Sequence, residues 1–116
     1  MVQSIDLWVV QKTNAAMFLQ VLRADGIWGA LRRSDPGLIA IDVLQSRQRS
    51  RVFVTLAFWT DADAYVSSAH SGTCSAVMRI LTELATWNHA LGLFEFPPRA
   101  REEMKIPNLS LPRDLA

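Results

Sequence analysis

One cysteine, Cys74, rules out an internal disulfide and any multi-cysteine zinc site. No stretch reaches the ~18 consecutive apolar residues of a membrane span, and the opening MVQSIDLWVVQK has no basic region ahead of a long apolar run. The expectation is a cytoplasmic protein with no membrane partner. Charge of either sign is scarce in excess: the formal net charge is +1, so no nucleic-acid partner is expected. Arg47, Arg49 and Arg51 cluster, but between two apolar runs they read as solvated turn charges rather than a phosphate-binding patch. There is no glycine-rich phosphate loop, no Gly-x-Ser-x-Gly, no internal repeat and no low-complexity tract. Only two histidines occur, His70 and His89, and neither has an acid or second ligand at helical spacing, so no metal site is expected.

What is present is apolar. Half of the 116 residues are hydrophobic, enough for one domain that buries roughly two thirds of its unfolded surface. Gly37 to Trp59 reads as two strands around the basic turn. In the second strand Val52, Val54, Leu56 and Phe58 point one way and Phe53, Ala57 and Trp59 the other, with only Thr55 interrupting. A half-buried antiparallel strand alternates apolar with polar. This one needs cover on both faces.

Before the hairpin, Ser4 to Val10 is a strand with Ile5, Leu7 and Val9 on one face and Asp6, Trp8 and Val10 on the other. Thr13 or Asn14 can cap a helix running to about Arg33, with Met17, Val21, Ala24, Trp28 and Leu31 along its packing stripe. Gly26 and Gly29 interrupt that pattern, as a break near Asp25-Gly26 or as a close-approach surface. Asp35-Pro36-Gly37 stops it.

After the hairpin, Thr60 or Asp61 caps a short helix ending near Gly72. A second amphipathic helix carries Cys74, Val77, Met78, Leu81, Leu84 and Ala85, and Leu91 to Phe96 forms the last strand before Pro97-Pro98. Cys74 in that stripe reads as packing rather than as a nucleophile. Residues 1–98 are thus expected to be one α+β domain, a ferredoxin-like βαββαβ with its helices on one face of an antiparallel sheet. The tail, 99–116, reads as an extended terminus, either mobile or docked on a partner through Met104, Ile106, Leu109 and Leu111. The second apolar sheet face is expected to be covered by the same face of another copy, making a homodimer.

The pieces PGLIAIDVLQS, the strand ending FWTDADAYVSSAHS, the long helix and LGLFEF resemble the antibiotic-biosynthesis-monooxygenase-type domain of the dimeric α/β-barrel superfamily. The resemblance runs from about Ile5 to Phe96. It implies a dimeric α/β barrel and a ligand pocket between sheet and helices in each subunit. Residues placed to line that pocket are Trp8, Trp28, Trp59, Tyr65, His70, Trp87, Asn88 and His89. Haem-degrading relatives use an Asn near the first strand with a Trp and a His on the helix after the hairpin. Here that stretch holds Ser68 and Met78, with His70 out of step, so the haem pattern is not reproduced.

The resemblance implies a cofactor-independent monooxygenase-like activity on a small aromatic or polyketide-like molecule. A non-catalytic small-ligand-binding protein on the same scaffold is the alternative. Oxidation without a cofactor needs a substrate anion that can itself give an electron to oxygen, so the site must deprotonate it in a dry aromatic pocket. His70 is the candidate base, since imidazole titrates near neutrality, and Tyr65 the candidate hydrogen-bond donor. Trp28 and Trp59 would form ring walls. For all of them the plainer role is a capping or core residue, and Asn88 reads equally as a helix C-cap.

Overall fold

The computed structural model describes residues 1–23 and 26–97. Strand β1 (Val2–Val10) leads through a 3-10 turn (Lys12–Asn14) into helices α1 (Ala15–Val21) and α2 (Ile27–Ser34). The hairpin strands β2 (Leu38–Gln45) and β3 (Val52–Trp59) follow, then α3 (Ala62–Ala69), α4 (Gly72–Leu84) and β4 (Ala85–Phe94). The four strands form one antiparallel sheet in the order β2-β3-β1-β4, with the helices on one side. This is the expected ferredoxin-like α+β arrangement. The expectations for the tail lie outside the described residues.

Of the two forms the sequence allowed for the first helical region, the break near Gly26 is the one formed. There are two helices, and Gly26 lies against the end of α1, where a Cβ would be 2.7 Å from the Val21 carbonyl oxygen. With the break, the buried side of α1 turns to Phe18, Val21 and Leu22, while Met17, expected on the stripe, is 50% exposed. Asn14 precedes α1 but makes no side-chain cap; its amide donates to the Leu84 carbonyl at 3.3 Å instead. Asp61 and Ser71 do cap α3 and α4, accepting from the backbone N–H of Ala64 at 2.8 Å and Cys74 at 3.0 Å.

The last strand is longer and earlier than the sequence suggested. It starts at Ala85, directly at the end of α4, and pairs with β1 along nearly its whole length. Trp87, Asn88 and His89 are therefore strand residues opposite Val9, Trp8 and Leu7, and Asn88 is not a helix cap. The pairing shifts register between Ile5 and Asp6, and Gly92 beside that irregularity has a φ of +107°, a conformation that favours glycine.

The core sits between sheet and helices. Trp8, Val10 and Phe53 from the sheet meet Phe18, Leu31, Val77 and Leu81 from the helices, with Trp8–Phe18 and Phe18–Phe53 ring centroids 5.5 and 5.1 Å apart. In β3 the burial alternates strictly, Phe53, Thr55, Ala57 and Trp59 facing the helices. The opposite face carries Ile5, Leu7 and Val9 paired with Leu56, Val54 and Val52, an apolar ladder with no helix over it among the described residues. At the hairpin Arg51 is more than a solvated charge: its Nε donates to the Val10 carbonyl at 2.7 Å, tying the turn to the end of β1.

Candidate functional site

Toward the Ser4 and Trp59 ends of the two central strands a cavity of about 240 Å³ lies between the sheet and the helices. Its floor is set by strand alternation. Ser4 and Asp6 project from β1 onto the helix side; Thr55 faces Asp6 across the β1–β3 pairing and Ala90 faces it across β1–β4. Asn88, opposite Trp8, sits diagonally from Asp6 on the same face. The roof comes from Trp28 and Leu31 of α2, Tyr65 and Ser68 of α3, and Cys74 and Met78 of α4, while Trp59 closes one end.

Hydrogen bonds hold this lining in place. The Trp59 indole donates to Ser4 Oγ at 3.0 Å and the Trp8 indole to Thr55 Oγ1 at 2.9 Å, both buried. Each hydroxyl, having accepted, keeps its own proton to donate. Tyr65 meets Trp59 edge-on, ring centroids 5.6 Å apart at 73°, which fixes two aromatic walls against each other. Ser68 Oγ donates to Asp35 Oδ2 at 2.7 Å, fastening α3 to the end of α2. Asn88 Nδ2 donates to the Leu7 carbonyl at 3.1 Å. The Trp28 indole nitrogen is buried without a hydrogen-bond partner among the described residues, in a side chain of the lining.

Burial pushes the Asp6 carboxyl above its ordinary value, against the opposing pull of a hydrogen bond from Asn88 and the charge of His89. Burial also raises the Cys74 thiol; hydrogen bonding by Ser68 opposes this, and the charges of Asp35 and Asp6 add to it. Cys74 is therefore a protonated packing group near neutrality rather than a nucleophile. Among the described residues no three His, Cys, Asp or Glu side chains group so as to hold a metal ion.

Four of the residues expected in the pocket are there: Trp28, Trp59, Tyr65 and Asn88. Four are not: Trp8, His70, Trp87 and His89. Trp8 is 1% exposed, packed on Phe18 in the core beside the cavity, because its ring fills the space below α1. Trp87 belongs to the other face of the sheet, 49% exposed and stacked on His89 at 5.8 Å, because β4 begins earlier than expected and its alternation turns these two rings away from the helices. His70 ends α3 as an exposed residue outside the lining, so the structure does not bring the expected base to the pocket. Sequence reasoning passed over Asp6, although a carboxylate on the same strand face as Trp8 and Val10 was the available signal.

A half-enclosed apolar cavity with a few convergent polar groups, set between the sheet and helices of a ferredoxin-like domain, is the geometry of a small-molecule-binding α+β domain. The family model for antibiotic biosynthesis monooxygenases matches residues 5–79, and the chain belongs to that family. Its fold is similar to that of SnoaB, a cofactor-independent oxygenase from Streptomyces nogalater, at 22% identity and a TM-score of 0.66, over 82% of this chain and 91% of that one. It is similar to a conserved protein from Bacteroides thetaiotaomicron at 21% identity and a TM-score of 0.63, over 82% and 96% of the two chains. A conserved protein from Methanosarcina mazei has 13% identity and a TM-score of 0.65, over 83% and 92%. At these identities the likeness is one of fold. No curated protein matches the chain. Among the described residues no helix is long and apolar enough to cross a membrane.

Proposed function

We propose that this protein is a cofactor-independent monooxygenase-like enzyme that oxidises a small electron-rich aromatic or polyketide-like molecule in the cavity under α2, α3 and α4. The observation that carries this reading is the lining itself: two indoles and a phenol around one carboxyl, in a mainly apolar space with a few hydroxyls and one amide. Such walls stack a planar ring and exclude water, which keeps a substrate anion reactive toward oxygen and shields the intermediates from hydrolysis. Tyr65, held by Trp59, offers its phenol O–H to a substrate oxygen. The working unit is a cytoplasmic homodimer whose two open sheet faces pack on each other.

Oxygen consumption by the purified protein, measured with an electrode against a panel of naphthols, hydroxyanthracenes and anthrones, tests the activity. Uptake with one-to-one formation of a quinone supports the reading. Saturable binding across the panel with no uptake above the uncatalysed rate assigns the cavity to a non-catalytic ligand-binding protein instead.

A further inference from the structure

The geometry points to Asp6 as the group that takes the substrate's hydroxyl proton, which makes the preferred ligand a phenol-type aromatic with a free hydroxyl lying over the β1–β4 side of the cavity floor. This deepens the oxygenase reading and rests on it. The argument begins with what lines the space. Among the described residues, Asp6, Tyr65 and Cys74 are the side chains of the lining that carry a carboxyl, a phenol or a thiol. A phenol or thiol gives up its proton several pH units less readily than a carboxylic acid in water, and the Cys74 thiol is pushed further up. Among the described residues of the lining, a carboxyl is therefore the side chain whose chemistry suits accepting a proton from a hydroxyl.

Its surroundings suit that task. Thr55 stands directly across from it, and Asn88, fixed by its bond to the Leu7 carbonyl at 3.1 Å, lies diagonally beside it on the same face of the sheet. Asn88 thus flanks the carboxyl on its β4 side, and both line the cavity. The register shift between Ile5 and Asp6 lies next to it, the kind of irregularity that re-aims a side chain beside a site. Partial burial raises the basicity of the carboxylate, bringing it closer to that of the hydroxyl it must deprotonate. The charged and titratable groups around it are His89 on β4, Tyr65 on α3, Cys74 on α4 and, beyond Ser68, Asp35 at the end of α2.

The proton and electron count closes with molecular oxygen as the sole co-reactant. The substrate O–H breaks and its proton passes to Asp6. The resulting anion gives one electron to oxygen, and the aryloxyl radical and superoxide combine to form a C–O bond at a ring carbon. Asp6 returns its proton to the peroxide anion, giving a hydroperoxide. Loss of the ring C–H proton and of hydroxide as water leaves the quinone and an ionised Asp6. Oxygen takes four electrons in all, one atom entering the quinone and the other leaving as water.

Two measurements test the role of Asp6. In the first, Asp6→Asn keeps the shape but cannot accept the proton, and oxygen uptake is expected to fall about a hundredfold or more, with its dependence on the ionisation of an acidic group lost and the thermal midpoint no lower than that of the unsubstituted protein. Uptake within threefold of the unsubstituted protein, with the same pH profile, overturns the role of Asp6 and leaves the oxygenase reading standing. The second measurement needs no turnover. The unsubstituted protein should bind 1-naphthol at least tenfold more tightly than 1-methoxynaphthalene, which lacks the O–H, and Asp6→Leu should bring that ratio to about one. An unchanged ratio in Asp6→Leu overturns the proposal even where no uptake is found, whereas a collapsed ratio without uptake upholds the contact and removes the oxygenase reading.

Discussion

Asp6 is placed where folding works against its charge. Its pKa in the folded chain lies above the ordinary value of 3.8, so between the unfolded and folded values the folded state holds more protons. Stability from this group is therefore greatest at low pH, falls as pH rises through that window and stays lower above it. Asp6→Asn removes the charge without removing the volume. Its thermal midpoint is expected to exceed that of the unsubstituted protein near neutrality, with the gain shrinking as pH falls from the raised folded value toward 3.8 and lost below it. Thermal melts over a pH series read this directly, and a gain independent of pH would assign the effect to packing rather than to the buried charge. Stability gained together with activity lost is the pattern of a site held against its own folding preference.

At the same scale, the aromatic residues show how far composition goes. All four tryptophans were candidates for the pocket, and each found an ordered place: Trp59 and Trp28 in the lining, Trp8 in the core and Trp87 on the outer sheet face. Their chemistry is identical. What separates them is which strand face or helix side they occupy, and for Trp87 that depended on where β4 begins.

Among the elements, the contact between the β2 entry and α3 is the tightest constraint. Gly37 precedes β2, accepts from the Thr60 N–H at 2.9 Å and lies against Ala64, with which an added Cβ would collide. Gly37→Ala must displace α3 and the Tyr65 it carries into the cavity. A loss of about 1–3 kcal/mol in urea unfolding is expected, with the slope of the transition unchanged. Gly72→Ala serves as the comparison: at the first turn of α4, nothing lies within 4 Å of an added Cβ, and the change should be neutral or stabilising by up to about 1 kcal/mol. Equal losses at both positions would remove steric crowding as the cause.

The elements also show which local signals were dependable. Asp61 and Ser71 cap α3 and α4 because acceptor side chains at those positions meet orphan N–H groups whatever the rest of the chain does. The break before α2 was marked by Asp25-Gly26, with glycine required by the close Val21 carbonyl. The start of β4 had no such marker. Trp87, Asn88 and His89 have no strong preference of their own, and they become strand by pairing with β1, far away in sequence.

For the whole molecule, the outstanding feature is the sheet face away from the helices. Ile5, Leu7, Val9, Val52, Val54 and Leu56 form its centre, and each is only partly buried in the single chain. A face of this kind is the interface expected of an obligate dimer. Sedimentation should therefore give a stable dimer at micromolar concentration. Leu56→Lys, placing a charge opposite Ile5 at the middle of that face, should shift the protein to monomer while leaving the helix side folded. A monomeric unsubstituted protein at that concentration would sink the expectation.

The sequence alone determined the kinds of element, their order and the two-sided hydrophobicity of the central strands. These follow from periods of 2 and 3.6 and from caps, all of which act within a few residues. The tertiary structure decided the site. Asp6, Thr55 and Asn88 are remote in the chain and meet only because β1 lies between β3 and β4, in a register that places all three on one face. His70, close to Tyr65 in sequence, is turned to solvent by the end of the same helix. Strand pairing is a long-range choice, made by the packing of the whole sheet rather than by any one segment. That choice is what put a carboxylate, and not an imidazole, at the floor of the cavity.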